Sequence, residues 1–201
     1  MNGHDLSYLL AGSPRQQRAY ATLAAAGLWP LLAAYGPVLA GTVPLGIDLK
    51  HSDLDVLCEV PAAEQAAFGE LLRAHFGARP GFRLARRTVG GLATTVAGFG
   101  YEAEEIEVFG QALPTAQQPG WRHLLVEAAV LAAGGAAWRA AMRILKQQGL
   151  KTEPAFAQLL GLAGDPYAAL LTLEGLPAAE LRRLVAARPL PWPTPGAASA
   201  G

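Results

Sequence analysis

After Pro114 the sequence changes its period, and that switch limits the folds open to the chain more than any other feature. Upstream, short runs alternate apolar and polar residues, the pattern of strands with one covered face. Downstream, apolar residues recur at helical spacing, and glycines and prolines fall at the ends of each run. The expected fold is therefore α/β (α+β), a mixed sheet with flanking helices followed by a helical C-terminal lobe. Residues 1–114 form the α/β lobe, residues 115–188 the helical lobe and residues 189–201 a tail. That tail, "PLPWPTPGAASAG", has no apolar periodicity and is expected to be disordered.

Within the first lobe, "RQQRAYATLAAAGLWPLLAAYG" predicts an Ala-rich amphipathic helix interrupted near Pro30 and ended by Gly36 and Pro37. "PVLAG" predicts a short buried strand stopping at Gly41, and "SDLDVLCEV" the next strand, closed by Pro61. A helix is expected over "AAEQAAFGELLRAHFG". "GFRLARRTV" and "LATTVAGFGY" read as a hairpin turning at Gly90 and Gly91, with "EIEVFGQ" as a further strand. Helices are expected at residues 119–133, 135–148, 153–162, 166–173 and 177–188, with Thr152 and Asp165 as N-caps.

Composition narrows the function classes. A chain of 201 residues with 52% hydrophobic residues is globular in character. Its 16 basic and 16 acidic residues balance, which argues against sequence-independent nucleic-acid binding as its main task. The most apolar stretch, "VEAAVLAAGGAAWRAAM", reads as too short and mild for a membrane span. Asp5 stands where a signal peptide carries a basic residue, and the single Cys58 has no internal disulfide partner. A cytoplasmic protein with a small buried thiol is the expectation.

The chemistry concentrates in "GTVPLGIDLKHSDLDV", residues 41–56. Side chains two apart on a strand share a face, so Asp53 and Asp55 would stand side by side. Paired carboxylates repel each other, and they make sense where a multivalent cation binds between them. Upstream, Gly41 ends a strand at a turn and lets backbone N–H groups approach an anion, Thr42 adds a hydroxyl, and Pro44 suits a first helical turn. The plain alternative is a solvated strand edge with Ser52 as a turn residue. Asp48, Lys50 and His51 read as loop, Glu59 as a strand-end charge and "RLARR" as an exposed face. Glu105 and Glu107 alternate with Ile106 and Val108, as on a half-exposed strand. His123 and Glu127 are spaced to pair across one helical turn. Lys146 and Lys151 flank Gly149 beside a helix start, where an anion could bind.

The order Gly-Thr, Gly, then Ser-Asp-x-Asp on the next strand resembles the signature of the nucleotidyltransferase superfamily that includes DNA polymerase beta. That resemblance implies a nucleotidyltransferase-like sheet in which Asp53, Asp55 and Glu107 are catalytic and hold two Mg²⁺ ions, with Mn²⁺ a possible substitute and Glu105 as a spare. It also implies nucleotide contacts from Gly41, Thr42 and Ser52; Lys146 and Lys151 join them as candidates by their place beside a helix start, with ordinary solvated lysines as the alternative. Three departures stand out: Thr42 replaces the usual Ser, "VPLG" lacks an Arg found there in many small members, and Glu107 replaces Asp. More widely, "VFGQ", "WRHLLVEA", "LKQQGLKTEPAFA" and "GDPYAALL" are similar to an uncharacterised bacterial domain family of that superfamily, over residues 20–173. The implied reaction moves a nucleoside monophosphate from an NTP to an acceptor hydroxyl of a small molecule or protein, releasing pyrophosphate. A non-catalytic nucleotide-binding or interaction protein that kept the fold is the alternative.

Overall fold

Five strands form one mixed sheet in the order β1 (Val38–Ala40), β2 (Leu54–Glu59), β5 (Glu104–Gln111), β4 (Leu92–Tyr101) and β3 (Arg83–Val89). The computed structural model describes residues 3–190, so most of the expected tail lies outside the described residues. β2 and β5 run parallel, and the other neighbouring pairs are antiparallel. Gly90 and Gly91 take φ of 58° and 80°, a conformation that glycine adopts without Cβ strain, and they close the β3–β4 hairpin where the sequence placed it.

One face of the sheet is a dry core. Leu54, Ile106 and Phe99 occupy one row of it, and Val56, Val108 and Ala97 the next. Helix α3 (Gln65–Phe76) lies over this face, with Phe68 and Leu72 fully buried and Phe76 stacked on Phe99 at 4.3 Å between ring centres. Gly110 is needed below it, because a Cβ there would meet Phe68 at 2.5 Å. Cys58 belongs to the same face, is 0% exposed, and burial pushes its thiol up to about 12, so it is an inert core group.

The N-terminal helix breaks earlier than the sequence suggests. Helix α1 (Pro14–Ala25) ends before Gly27, which is left-handed at φ 64°, and helix α2 (Leu28–Leu32) follows. Pro30 sits in the first turn of α2, where its missing N–H costs nothing, so glycine rather than proline makes the break. Ser13 and Gln16 cap α1 reciprocally.

The chain divides into two compact units, Met1–Pro44 with His51–Trp121, and Leu45–Lys50 with Arg122–Gly201. The second is helical. Its main element, α4 (Pro119–Gln147), is broken at Gly135, whose φ of 64° and ψ of −152° are non-helical, so two helical segments meet at the boundary that the sequence predicts. By length and composition α4 could cross a membrane, yet it carries Arg139, Arg143 and Lys146 and buries Val130, Leu131, Met142 and Leu145, the make-up of a core helix. Helices α5 (Thr152–Leu160), α6 (Pro166–Leu171) and α7 (Ala178–Ala186) complete the unit. Asp165 caps α6 as expected, accepting from the Ala168 N–H at 2.8 Å. Thr152 is not a cap: Lys151 takes that position, and Thr152 is the first helical residue.

Candidate active site

The sheet's other face carries the charge. One row of register partners crosses all five strands: Ala40, Asp55, Glu107, Gly98 and Arg83. Neighbouring strands lie about 4.7–4.9 Å apart, so Asp55 and Glu107 stand beside each other on one face. Asp53 sits just before β2 rather than within it. Asp55 and Glu107 are both half-buried, between a hydrophobic interior and the open face.

Gly41 follows β1 at φ 75°, beside this row. An ideal Cβ there would lie 2.1 Å from Asp55 Oδ2, so the missing side chain is what admits the carboxylate. The following residues form a turn and not the helix start that Pro44 suggests, and Gly46 is again left-handed at 65°. Thr42 is buried at 9% exposure.

Helix α1 braces both ends of this connection, which the sequence alone does not reveal. The Gln16 side-chain amide donates to the carbonyls of Val43 and Pro44 at 3.0 and 3.1 Å. Arg15 donates to the Ser52 carbonyl at 2.8 Å and pairs with the buried Glu104. The readable signal was the capping box: a glutamine whose oxygen caps its own helix has its amide hydrogens free to hold another segment.

Glu107 has a second neighbour. Arg83 reaches to 3.9 Å from both Glu105 and Glu107. The "RLARR" run is thus not merely an exposed face at its first residue. Among the described residues, no group of three or more His, Cys, Asp and Glu is gathered closely enough to hold a metal ion. The structure aligns Asp55 with Glu107 and leaves Asp53 at the strand's edge, without closing the three into one ligand set. Their chemistry nevertheless fits a hard divalent cation, since all are carboxylates and the bare Gly41 lets one of them lie against the turn.

The helical unit holds its own polar cluster. Lys146 Nζ donates to Thr152 Oγ1 at 3.1 Å, and the exposed Lys151 stands at the head of α5. His123 and Glu127 do not pair across their turn. His123 Nε2 donates to the Tyr167 carbonyl at 3.0 Å, and its Nδ1 faces Glu153 at 3.7 Å. A carbonyl can only accept, so Nε2 carries the proton. Glu127 is 4% exposed, and burial pushes its carboxyl up to about 8, with Glu153 adding to the rise and Lys146 opposing it.

The family model for a domain of unknown function, DUF4269, matches residues 21–173. The chain belongs to the DUF4269 family. Among curated proteins, none matches it in sequence. Among solved structures, this DUF4269 chain is similar to Cid1, studied for its RNA terminal uridylyl transferase activity, with a TM-score of 0.51 and 12% identity over 85% of this chain and 54% of that one. It is also similar to the Cid1 poly(U) polymerase with Mg 3'-dATP bound, with a TM-score of 0.50 and 14% identity over 80% and 49% of the two chains. A third similarity, to the polymerase core of the RNA surveillance complex TRAMP, has a TM-score of 0.48 and 12% identity over 90% and 59%. The chain spans about half the length of the Cid1 structures it matches. The mixed sheet with its helices is the nucleotidyltransferase fold.

Proposed function

We propose that this chain is a divalent-cation-dependent nucleotidyltransferase. The observation that carries the reading is the row joining Asp55 to Glu107 beside the left-handed Gly41. Asp53, Asp55 and Glu107 would hold two Mg²⁺ ions through carboxylate oxygens. Bound there, the ions would neutralise the triphosphate and acidify the acceptor hydroxyl. Glu107 would take the hydroxyl proton as the acceptor oxygen bonds to the α-phosphorus. The bond from that phosphorus to the bridging oxygen breaks, and pyrophosphate leaves. The Gly41 backbone and the Thr42 hydroxyl would hold the departing phosphates, with Ser52 beside the nucleotide and Gln16 and Arg15 keeping both segments in place. Lys146 and Lys151 are proposed phosphate-binding groups of the helical unit.

The acceptor is proposed to be a hydroxyl of a small molecule or protein. Cid1 acts on RNA ends, whereas this chain has no net basic charge to draw a polyanion. The buried Cys58 suits a reducing compartment, and we place the reaction in the cytoplasm. One observation favours a non-catalytic nucleotide-binding protein instead: the Arg83 guanidinium reaches Glu107, the carboxylate proposed as a cation ligand. Incubation with each Mg²⁺-NTP, alone and with a panel of hydroxyl acceptors, separates the two. Pyrophosphate release or labelling that is lost in Asp53→Asn supports transfer. NTP binding without pyrophosphate under every condition supports the binding protein.

A further inference from the structure

β4 contributes two glycines, Gly98 and Gly100, to the charged face of the sheet, and each stands opposite a glutamate of β5: Gly98 opposite Glu107, Gly100 opposite Glu105. Glycine inside a strand weakens it and usually marks a close approach by another group. Here the approaching group is the Arg83 side chain. A Cβ on Gly98 would lie 2.3 Å from the guanidinium carbon of Arg83 and 2.5 Å from its Nη2. Arg83 is the β3 register partner of Gly98, so its side chain lies across the bare strand and spans to β5. Without the gap at 98, β4 would separate the arginine from both glutamates.

We propose that Arg83 and a divalent cation compete for the Glu107 carboxylate, making Arg83 a positioning residue for the cation site. This rests on the proposed function, since it takes Glu107 to be a cation ligand. The guanidinium nitrogens at 3.9 Å from Glu105 and Glu107 offer the row a positive charge of its own, fixed in the fold and independent of any ligand. Glu105 gives the arginine a second anchor, so it can release Glu107 without losing every partner. The contact is loose and half-exposed, with 56% of the Arg83 side chain and 35% of the Glu107 side chain accessible, so a cation of higher charge density displaces it at small cost.

The test measures Mn²⁺ affinity of the full chain by titration calorimetry. Arg83→Gln removes the competitor and should tighten Mn²⁺ binding by about two- to five-fold, the range expected for a half-exposed pair. The same change made in a Glu107→Gln background should have no effect, because the competition has lost its object. Arg86→Gln, on the same strand but the opposite face, removes an equal charge and should also have no effect. Unchanged or weaker Mn²⁺ binding in Arg83→Gln overturns the inference, as does a gain that persists without Glu107 or is matched by Arg86→Gln. A parent chain and an Arg83→Gln variant that both fail to bind Mn²⁺ overturn the proposed function and this inference with it.

Discussion

Asp55 occupies the space that a side chain at residue 41 would fill, its Oδ2 only 2.1 Å from an ideal Gly41 Cβ. Two separate demands therefore fall on one glycine, a left-handed backbone at φ 75° and room for a carboxylate. Gly41→Ala should destabilise the protein by about 1–3 kcal/mol, combining backbone strain with the steric conflict. In an Asp55→Ala background the same change should cost less, because only the backbone part remains. Urea denaturation in chelator measures both. Equal costs in the two backgrounds would mean that the carboxylate simply swings away.

Thr42 should contribute to binding rather than to stability. Thr42→Val keeps the shape of a 9%-exposed residue while removing its hydroxyl. If that hydroxyl donates to a phosphate, the loss is about 1.5–3 kcal/mol, at least a several-fold weakening for Mg²⁺-ATP. Titration calorimetry with Mg²⁺-ATP, beside a melting curve that stays near the parent's, checks it. Unchanged affinity would remove the phosphate role given to this turn.

Much of this site was legible because strand period and glycine position are local properties. Alternation alone gave the two strands, which formed at β2 and β5, whereas the expectation that Glu107 joins Asp55 came from the family resemblance. What sequence could not supply were contacts set by tertiary register. Arg83 meets Glu107 only because β3, β4 and β5 align at Gly98, a match spread over more than twenty residues of chain. Gln16 and Arg15 hold the turn and Ser52 only because α1 is laid against them. The separation of His123 from Glu127 has the same origin. Helical spacing permits their pairing, but packing against α5 and α6 gives His123 other partners.

Glu127 predicts a pH dependence whose sign follows from its buried carboxyl. Its folded value is raised from 4.5 to about 8, so between those limits the folded chain holds a proton that the unfolded chain has released. Stability from this group is full below about pH 4.5 and is lost as pH rises through about 8, at up to about 1.4 kcal/mol per pH unit. Glu127→Gln, which cannot ionise, should remove that slope and be more stable than the parent at pH 8 and above. Denaturant midpoints measured from pH 5 to 9 test this. A parent and mutant with parallel profiles would show that the carboxyl finds water or a cation when it ionises.

The last prediction concerns the cost of holding like charges in one row. Asp55 and Glu107 are neighbours in register, with Asp53 close by in sequence, so the carboxylates oppose one another in a half-buried setting. Asp55→Asn removes one of those charges with little change of shape, and in chelator it should be at least as stable as the parent. The same change removes an oxygen ligand proposed to be shared by both cations. The mutant should therefore fail to gain the stabilisation that saturating Mg²⁺-NTP gives the parent, a gain of about 2.7 kcal/mol at a hundredfold excess over Kd. Melting curves of both proteins, each with chelator and with Mg²⁺-NTP, read the two effects separately. A mutant clearly less stable in chelator would assign Asp55 a structural hydrogen-bonding role at Gly41, while one that keeps the full gain from Mg²⁺-NTP would remove Asp55 from the cation site.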